Sequence, residues 1–397
     1  MFLKEGCCSG YIETKKRNRI IFFFVHFLVL HLNAQTALYN SGNLRIHEDG
    51  KIGFHTDLIN ENTFDENLGL AGFYNNTTIV ISGAFTPIFN DLEIANSSGV
   101  ELKTSVNVLN NTNFIQGDFI TSKNNPGIYF NFLDNAFYVG DTDQSKINGY
   151  AMLTKQQNFT FPVGDASFLR PLTINSESIN TSAQCAYFFE NPNNPSSFPQ
   201  FNTDLKPRTV SNISTLEFWR LEGSVSSTVT LSWNPRSSII NLTEDINAIT
   251  IVGWNKIANR WLTLGNTFIS GDLNSGLVSS ELFVPDDYEI VTLGSLAVPE
   301  DILILENYIL TPNNDGINDA LVIEELELSP NNTLQIFDRN GLKVFELENY
   351  TNEFGGISNI NNLVINRDQG LPRGVYFYLV NMRDLGLSYQ GFLVIER

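Results

Sequence analysis

The sequence predicts an all-β protein of several consecutive units, and three observations carry that prediction. Apolar residues recur at alternate positions in short runs, and from about Thr36 to Thr154 no stretch keeps a helical period. Asn, Gly, Ser and Pro separate these runs, as turns between strands require. Near the C-terminus two hairpin signatures follow one another, the first around Asn340-Gly341 and the second around Asp384-Leu385-Gly386.

In chain order, the first element is a leader. Lys15-Lys16-Arg17-Asn18-Arg19 precedes an apolar run from Ile20 to Leu32, and Asn33-Ala34-Gln35 supplies a small residue before a polar start. The pattern reads as a signal peptide over residues 1–34, cleaved after Ala34. Its run is shorter than the ~20 residues a helix needs to cross a bilayer, so the mature chain is expected to carry no transmembrane segment. Cleavage removes Cys7 and Cys8 and leaves Cys185 alone, so no intramolecular disulfide is expected and hydrophobic cores must hold the fold. With 397 residues and 42% hydrophobic content, the chain can supply more than one core. The leader also carries Lys4, Lys15, Lys16, Arg17 and Arg19 against Glu5 and Glu13, so its loss moves the formal net charge from −19 to −22. A surface this acidic repels phosphates and argues against a nucleic-acid partner. It suits a soluble extracellular protein.

Residues 35–148 hold closely spaced runs: Asn90 to Ile94, Val100 to Thr104, Val106 to Leu109, Asn113 to Ile120, Gly127 to Phe130 and Ala136 to Gly140. Strands this short, with Asn or Gly at the bends, can stack as successive rungs of a β-solenoid. A sandwich with Greek-key connections is the rival arrangement. Residues 149–298 carry runs at wider spacing, among them Phe218-Trp219-Arg220-Leu221, Val229 to Trp233, Ile249 to Trp254, Arg260 to Leu264 and Tyr288 to Leu293. That spacing predicts an Ig-like β-sandwich. All four tryptophans, Trp219, Trp233, Trp254 and Trp261, fall here. They either fill the space between two sheets, as alternation within strands favours, or line a platform for sugar rings. Residues 299–306 form a linker into the C-terminal domain, 307–397.

Catalytic patterns are sparse. His47 and His55 are the only histidines beyond the leader, and neither has a second histidine at metal-ligand spacing. His47-Glu48-Asp49 reads as an exposed turn before Gly50. No Gly-x-Ser-x-Gly elbow or phosphate-binding loop appears, and Cys185 lacks a partner motif. The expectation is a non-enzymatic protein with no catalytic residues; paired carboxylates of the glycosidase kind are not testable from sequence.

In the C-terminal domain, Tyr308-Ile309-Leu310 leads into Thr311-Pro312-Asn313-Asn314-Asp315-Gly316-Ile317-Asn318-Asp319. Alternating Asn and Asp oxygens around a Gly bend make Asn313, Asp315, Asn318 and Asp319 candidate calcium ligands, the one cofactor the sequence suggests. The alternative is a turn capped by Asx hydrogen bonds. Further on stand Pro330-Asn331-Asn332-Thr333-Leu334, Leu371-Pro372-Arg373-Gly374-Val375-Tyr376-Phe377-Tyr378 and Tyr389-Gln390-Gly391-Phe392-Leu393-Val394-Ile395. In this order these motifs resemble the gliding motility-associated C-terminal domain, the type B sorting domain of type IX secretion system cargo. Where that family often has Trp-Gly and Trp-Asp-Gly, this chain has Asn340-Gly341 and Phe354-Gly355-Gly356, and a loss of local aromatic packing is expected. The resemblance implies a C-terminal β-sandwich acting as export signal, recognition by the type IX secretion machinery, and a product secreted to, or held at, the outer cell surface of a Gram-negative bacterium. A structural or adhesive role for the upstream domains is the first reading. The alternative is an extracellular protein that binds or degrades carbohydrate, with surface polysaccharide or extracellular glycan as partner.

Overall fold

The computed structural model describes residues 37–297, 307–323, 326, 329–360, 370–383 and 386–397. The expected leader, 1–34, and linker, 299–306, lie outside the described residues. The chain divides into two compact units, one running up to Lys155 with Pro162–Leu169 added, the other comprising Gln156–Phe161 and Arg170–Arg397.

The first unit is a β-solenoid, which decides between the two arrangements open for this region. The chain alternates between two parallel sheets, each rung giving one strand to each. One sheet holds Leu38–Asn40, Leu58–Asn60, Ile79–Ser82, Val100–Leu102, Phe119–Ile120 and Ile147–Asn148 in that order. The other holds Lys51–Phe54, Leu70–Asn75, Ile88–Asn96, Val106–Gln116, Phe130–Leu133 and Ala151–Phe161. Register follows the alternation, because a slip of one residue would turn every apolar side chain outward. Leu58 thus pairs with Leu38 and Ile81, and Ile81 with Leu102. In the second sheet Phe54, Phe73, Ile94 and Phe114 form one buried column, with the first two rings stacked at 4.8 Å.

Polar residues close the corners. Asn40 and Asn60 are both buried, and Asn40 Nδ2 donates to Asn60 Oδ1 at 2.7 Å while Asn60 Nδ2 donates to the Phe85 carbonyl at 2.8 Å. Each side chain satisfies corner groups that would otherwise be orphaned. Gly117 sits at another corner with φ +86°, where a Cβ would stand 1.6 Å from the Asn96 carbonyl oxygen. Only glycine fits there.

Two boundaries differ from the sequence reading. Val106 to Leu109 and Asn113 to Gln116 belong to one strand, Val106–Gln116, because the intervening Asn111 and Thr112 pair with Asp91 and Leu92 of the preceding rung, with the Asn110 side chain donating to Asp91 Oδ1 at 2.6 Å. The unit also runs past residue 148. Ala151 to Thr154 pair in parallel with Phe130 to Leu133, and Pro162–Leu169 returns through bridges between Ile147 and Val163 and between Gly164 and Leu169. A strand with the same alternation as its predecessors simply extends the stack.

Between Arg170 and Leu296 the pairing becomes antiparallel. The long strand Leu172–Phe188 is shared: residues 172–176 pair with Ser227–Trp233, and residues 183–188 with Phe218–Gly223. One leaf continues through Tyr288–Leu296, Ile249–Asn255 and Arg260–Gly265; the other through Gly276–Ser279 and Phe268–Gly271. The tryptophans fill the interior. None is more than 5% exposed, and Trp254 meets Trp261 edge-on at 5.8 Å. Their faces therefore offer no surface platform for a sugar.

This core also buries a charge pair. Arg170 donates to Glu217 Oε1 at 2.8 Å, to the Ser232 carbonyl at 2.8 Å and to Ser237 Oγ at 3.0 Å, while Tyr187 Oη donates to Glu217 Oε2 at 2.7 Å. Trp219 Nε1 in turn donates to the Arg170 carbonyl at 2.9 Å. Residues from both leaves are tied to one guanidinium.

Candidate functional site

The C-terminal domain is a five-stranded sheet in the order Tyr308–Leu310, Leu387–Ile395, Gly374–Met382, Asn332–Phe337, Lys343–Glu348. Both predicted hairpins form. In the first, Gly341 takes φ +79° and Asp338 Oδ1 accepts the amides of Asn340 and Leu342, each at 2.8 Å. In the second, the strands pair from Gly374 with Ile395 to Met382 with Leu387. Tyr308–Leu310 adds to the final strand in parallel, so the start and end of the domain are joined.

One face of the sheet is covered by irregular segments that bring Leu321, Ile323, Leu326, Tyr350, Phe354 and Leu371 into the core. Asn332, from the Pro330-Asn331-Asn332-Thr333 motif, explains part of that cover. It is 2% exposed, its Nδ2 donates to the Ser329 carbonyl at 2.8 Å, and its Oδ1 accepts the Tyr350 amide at 2.9 Å. Tyr350 Oη donates to the Leu321 carbonyl at 2.5 Å. The expected loss of aromatic packing does not occur at Phe354, which is buried and meets Phe345 edge-on at 4.7 Å.

The opposite face carries an exposed apolar stripe set by register. Phe377 pairs with Phe392, and Val394 lies between Val375 and Ile309. Ile309, Val375, Phe377 and Phe392 are 40% to 58% exposed. These four side chains share the face opposite the core and lie on adjacent strands.

The Asn/Asp turn closes on itself. Asp319 Oδ1 accepts the amides of Asn313 and Asn314 at 3.0 and 2.7 Å, and Oδ2 accepts that of Gly316 at 2.7 Å. Asp315 Oδ1 accepts the Ile317 amide at 2.8 Å, and Asn313 shares two further bonds with Asp315. Asn314, Gly316 and Asn318 hold φ of +61°, +86° and +54°, the left-handed values that Asn and Gly tolerate best. Asn313, Asp315 and Asp319 are thus brought together. Asn318 contributes its backbone, accepting the Thr311 amide at 2.8 Å. The Asn313 side chain first, then the Ile317 amide, hold the Asp315 carboxyl below the usual carboxylate range. Among the described residues no group of three or more His, Cys, Asp or Glu side chains is gathered for a metal ion.

Other sequence candidates stay apart. His47, Glu48 and Asp49 are exposed, with the Gly50 amide closing the turn on the His47 carbonyl at 2.9 Å. Cys185 is fully buried, and burial pushes its thiol well up. Sequence reasoning missed a polar corner cleft of ≈ 460 Å³ lined by Asp118, Asp143 and Lys146 among others. There buried Lys146 donates to both Asp118 oxygens at 3.1 and 3.2 Å and to the Asp143 carbonyl at 2.6 Å. Burial raises the Asp118 carboxyl, against the pull of Lys146. Twenty-eight residues separate the pair, and only the stacking of rungs unites them.

Among the described residues no helix is long and apolar enough to cross a membrane. No curated protein and no solved structure matches the chain. Residues 303–395 match the family model of the CHU_C type IX secretion signal domain. The C-terminal domain of this chain is accordingly a type IX secretion signal domain, which implies contact with that secretion machinery and export to a secreted or cell-surface destination.

Proposed function

We propose that the chain is a structural or adhesive protein displayed at the outer surface of a Gram-negative bacterium, exported through the type IX machinery and without enzymatic activity. The match of residues 303–395 to the secretion signal carries this reading. The upstream part supports it. A solenoid of stacked rungs and an antiparallel β region that stands without disulfides together make a scaffold suited to spacing or adhesion. In this account the N-terminal signal peptide takes the chain to the periplasm, and the folded C-terminal domain presents the stripe of Ile309, Val375, Phe377 and Phe392 to the exporter.

Deleting Gly374 to Arg397 tests the reading. Those residues form the two longest strands of the sheet and contact both Asn332–Phe337 and Tyr308–Leu310, so the domain cannot close without them. The truncated chain is expected to accumulate in the periplasm with its upstream domains folded. Efficient release of that truncation would sink the assignment.

A further inference from the structure

The outer face of the solenoid's longer sheet holds a polar patch that no motif in the sequence announces. Register aligns Gly53, Gly72, Glu93 and Asn113 across four successive strands. Glycine inside a strand weakens it, and such glycines often mark the close approach of another group. Here that group is the ring of Tyr74. A Cβ on Gly72 would meet Tyr74 Oη at 2.1 Å and Cζ at 2.2 Å, and one on Gly53 would meet Tyr74 Cδ2 at 3.3 Å. The ring therefore lies down across the glycine pair, half-buried, with His55 exposed beside it at 5.8 Å.

Its polar end is fixed as well. Tyr74 Oη donates to Glu93 Oε1 at 2.9 Å, and Asn113 Nδ2 donates to Glu93 Oε2 at 2.8 Å. In the adjacent column Asp91 accepts from Asn110 and Asn90 at 2.6 and 3.0 Å. A recumbent aromatic ring bordered by carboxylates and carboxamides, all on rigid strands, is what a sugar ring requires. The C–H face of a pyranose stacks on the aromatic, and its hydroxyls donate to carboxylates and accept from amides.

We infer that Tyr74, Glu93, Asn113 and Asp91 form a binding patch for a neutral polysaccharide. Neutral follows from charge, since both carboxylates on the patch and the formal −19 of the chain repel uronate-rich or sulfated polymers. Polymer follows from geometry. Neighbouring strands lie about 4.8 Å apart, close to the length of one pyranose unit, so a glycan running along the stack meets a new rung with each sugar. The proposal rests on the reading of the chain as an exported surface protein, because only there would it meet such a polymer. It also moves carbohydrate recognition from the buried tryptophans to the solenoid.

Affinity electrophoresis of the purified full chain in gels containing soluble β-glucan, xylan, mannan, alginate or polygalacturonate tests it directly. Retardation is expected in at least one neutral gel and in neither acidic one. Tyr74→Ala is expected to weaken that binding by about tenfold or more, and Tyr74→Phe to weaken it less, since the stacking face remains. Glu93→Gln removes a charge without emptying the space and decides the matter should Tyr74→Ala misfold; it too is expected to reduce retardation. Mobility unchanged in every neutral gel, retardation by the acidic polymers alone, or binding unaffected by Glu93→Gln and by a folded Tyr74→Ala would each overturn the proposal. The purified chain reports on this site whatever the outcome of export assays, so the two readings fail separately.

Discussion

Replacing Glu217 with alanine should be among the most damaging single changes available in the tryptophan-rich region. The carboxylate is buried, accepts from Arg170 and Tyr187, and neutralises a guanidinium that is 2% exposed. Removing it leaves that cation without a counter-charge, and the remaining Ser232 and Ser237 acceptors offer only neutral oxygens. Breaking a buried pair from one side costs about 3–5 kcal/mol, against a total domain stability on the order of 5–15 kcal/mol. The four tryptophans all lie between Trp219 and Trp261, so intrinsic emission follows this region alone through a urea titration. With an m-value of about 2 kcal/mol/M, the midpoint should fall by about 2 M in Glu217→Ala. The paired change Arg170→Met with Glu217→Leu removes both charges together and should recover most of the loss, because a well-packed apolar pair of similar volume is often as stable as the ions it replaces. A midpoint unchanged in Glu217→Ala, or a double variant as unstable as the single one, would refute the view that the Arg170 cation, left buried without its counter-charge, is what destabilises the single variant.

Three further outcomes follow from the same geometry. Gly117→Ala forces a Cβ to within 1.6 Å of the Asn96 carbonyl at φ +86°, and should destabilise the solenoid by at least ~2 kcal/mol, seen as lost hydrogen-exchange protection in peptides spanning 96–120. Asp319→Ala removes the acceptor of three backbone amides and should lower the melting temperature of the secretion-signal domain equally with calcium or with chelator; a stabilisation by calcium that the variant abolishes would instead establish a cation at Asn313, Asp315, Asn318 and Asp319. Acidification should act with opposite sign on the two regions. Asp315 and Asp338 have depressed folded pKa values, caused chiefly by the Asn313 side chain and the Leu342 amide, so their contribution is present above the unfolded carboxylate range and fades as pH falls through the folded values. Burial raises Asp118, so its contribution is full below its unfolded pKa and is lost as pH rises through the folded one. Exchange corrected for intrinsic rates should show the C-terminal turn loosening in acid while the 116–120 corner tightens, and parallel trends would contradict this.

Much of this architecture was legible because one face of most strands is buried. The two-residue period of Asn90 to Ile94 and Val100 to Thr104 marked strands that the structure stacks as rungs, and the Asn340-Gly341 and Asp384-Leu385-Gly386 turn signals marked both C-terminal hairpins. The motif Asn313 to Asp319 was legible as a turn because left-handed positions select Asn and Gly. What stayed hidden depends on partners far away in sequence. Nothing local distinguishes Ala151–Phe161 as a last rung from a first sandwich strand, and Asn175-Ser176-Glu177-Ser178 looks like a loop although it lies inside Leu172–Phe188. Arg170 and Glu217, 47 residues apart, and the column from Gly53 to Asn113 become neighbours only once register is set.

The most direct test of the central claim is to attach residues 303–397 to a signal-peptide-bearing reporter that is otherwise retained in the periplasm, and to measure its release in a host with and without a working type IX machinery. The account predicts release in the first host and periplasmic retention in the second, with release reduced when Phe377 and Phe392 are both changed to Ser on the exposed stripe. Equal release from both hosts, or retention in both with the attached domain folded, would contradict the assignment of this domain as the protein's export signal.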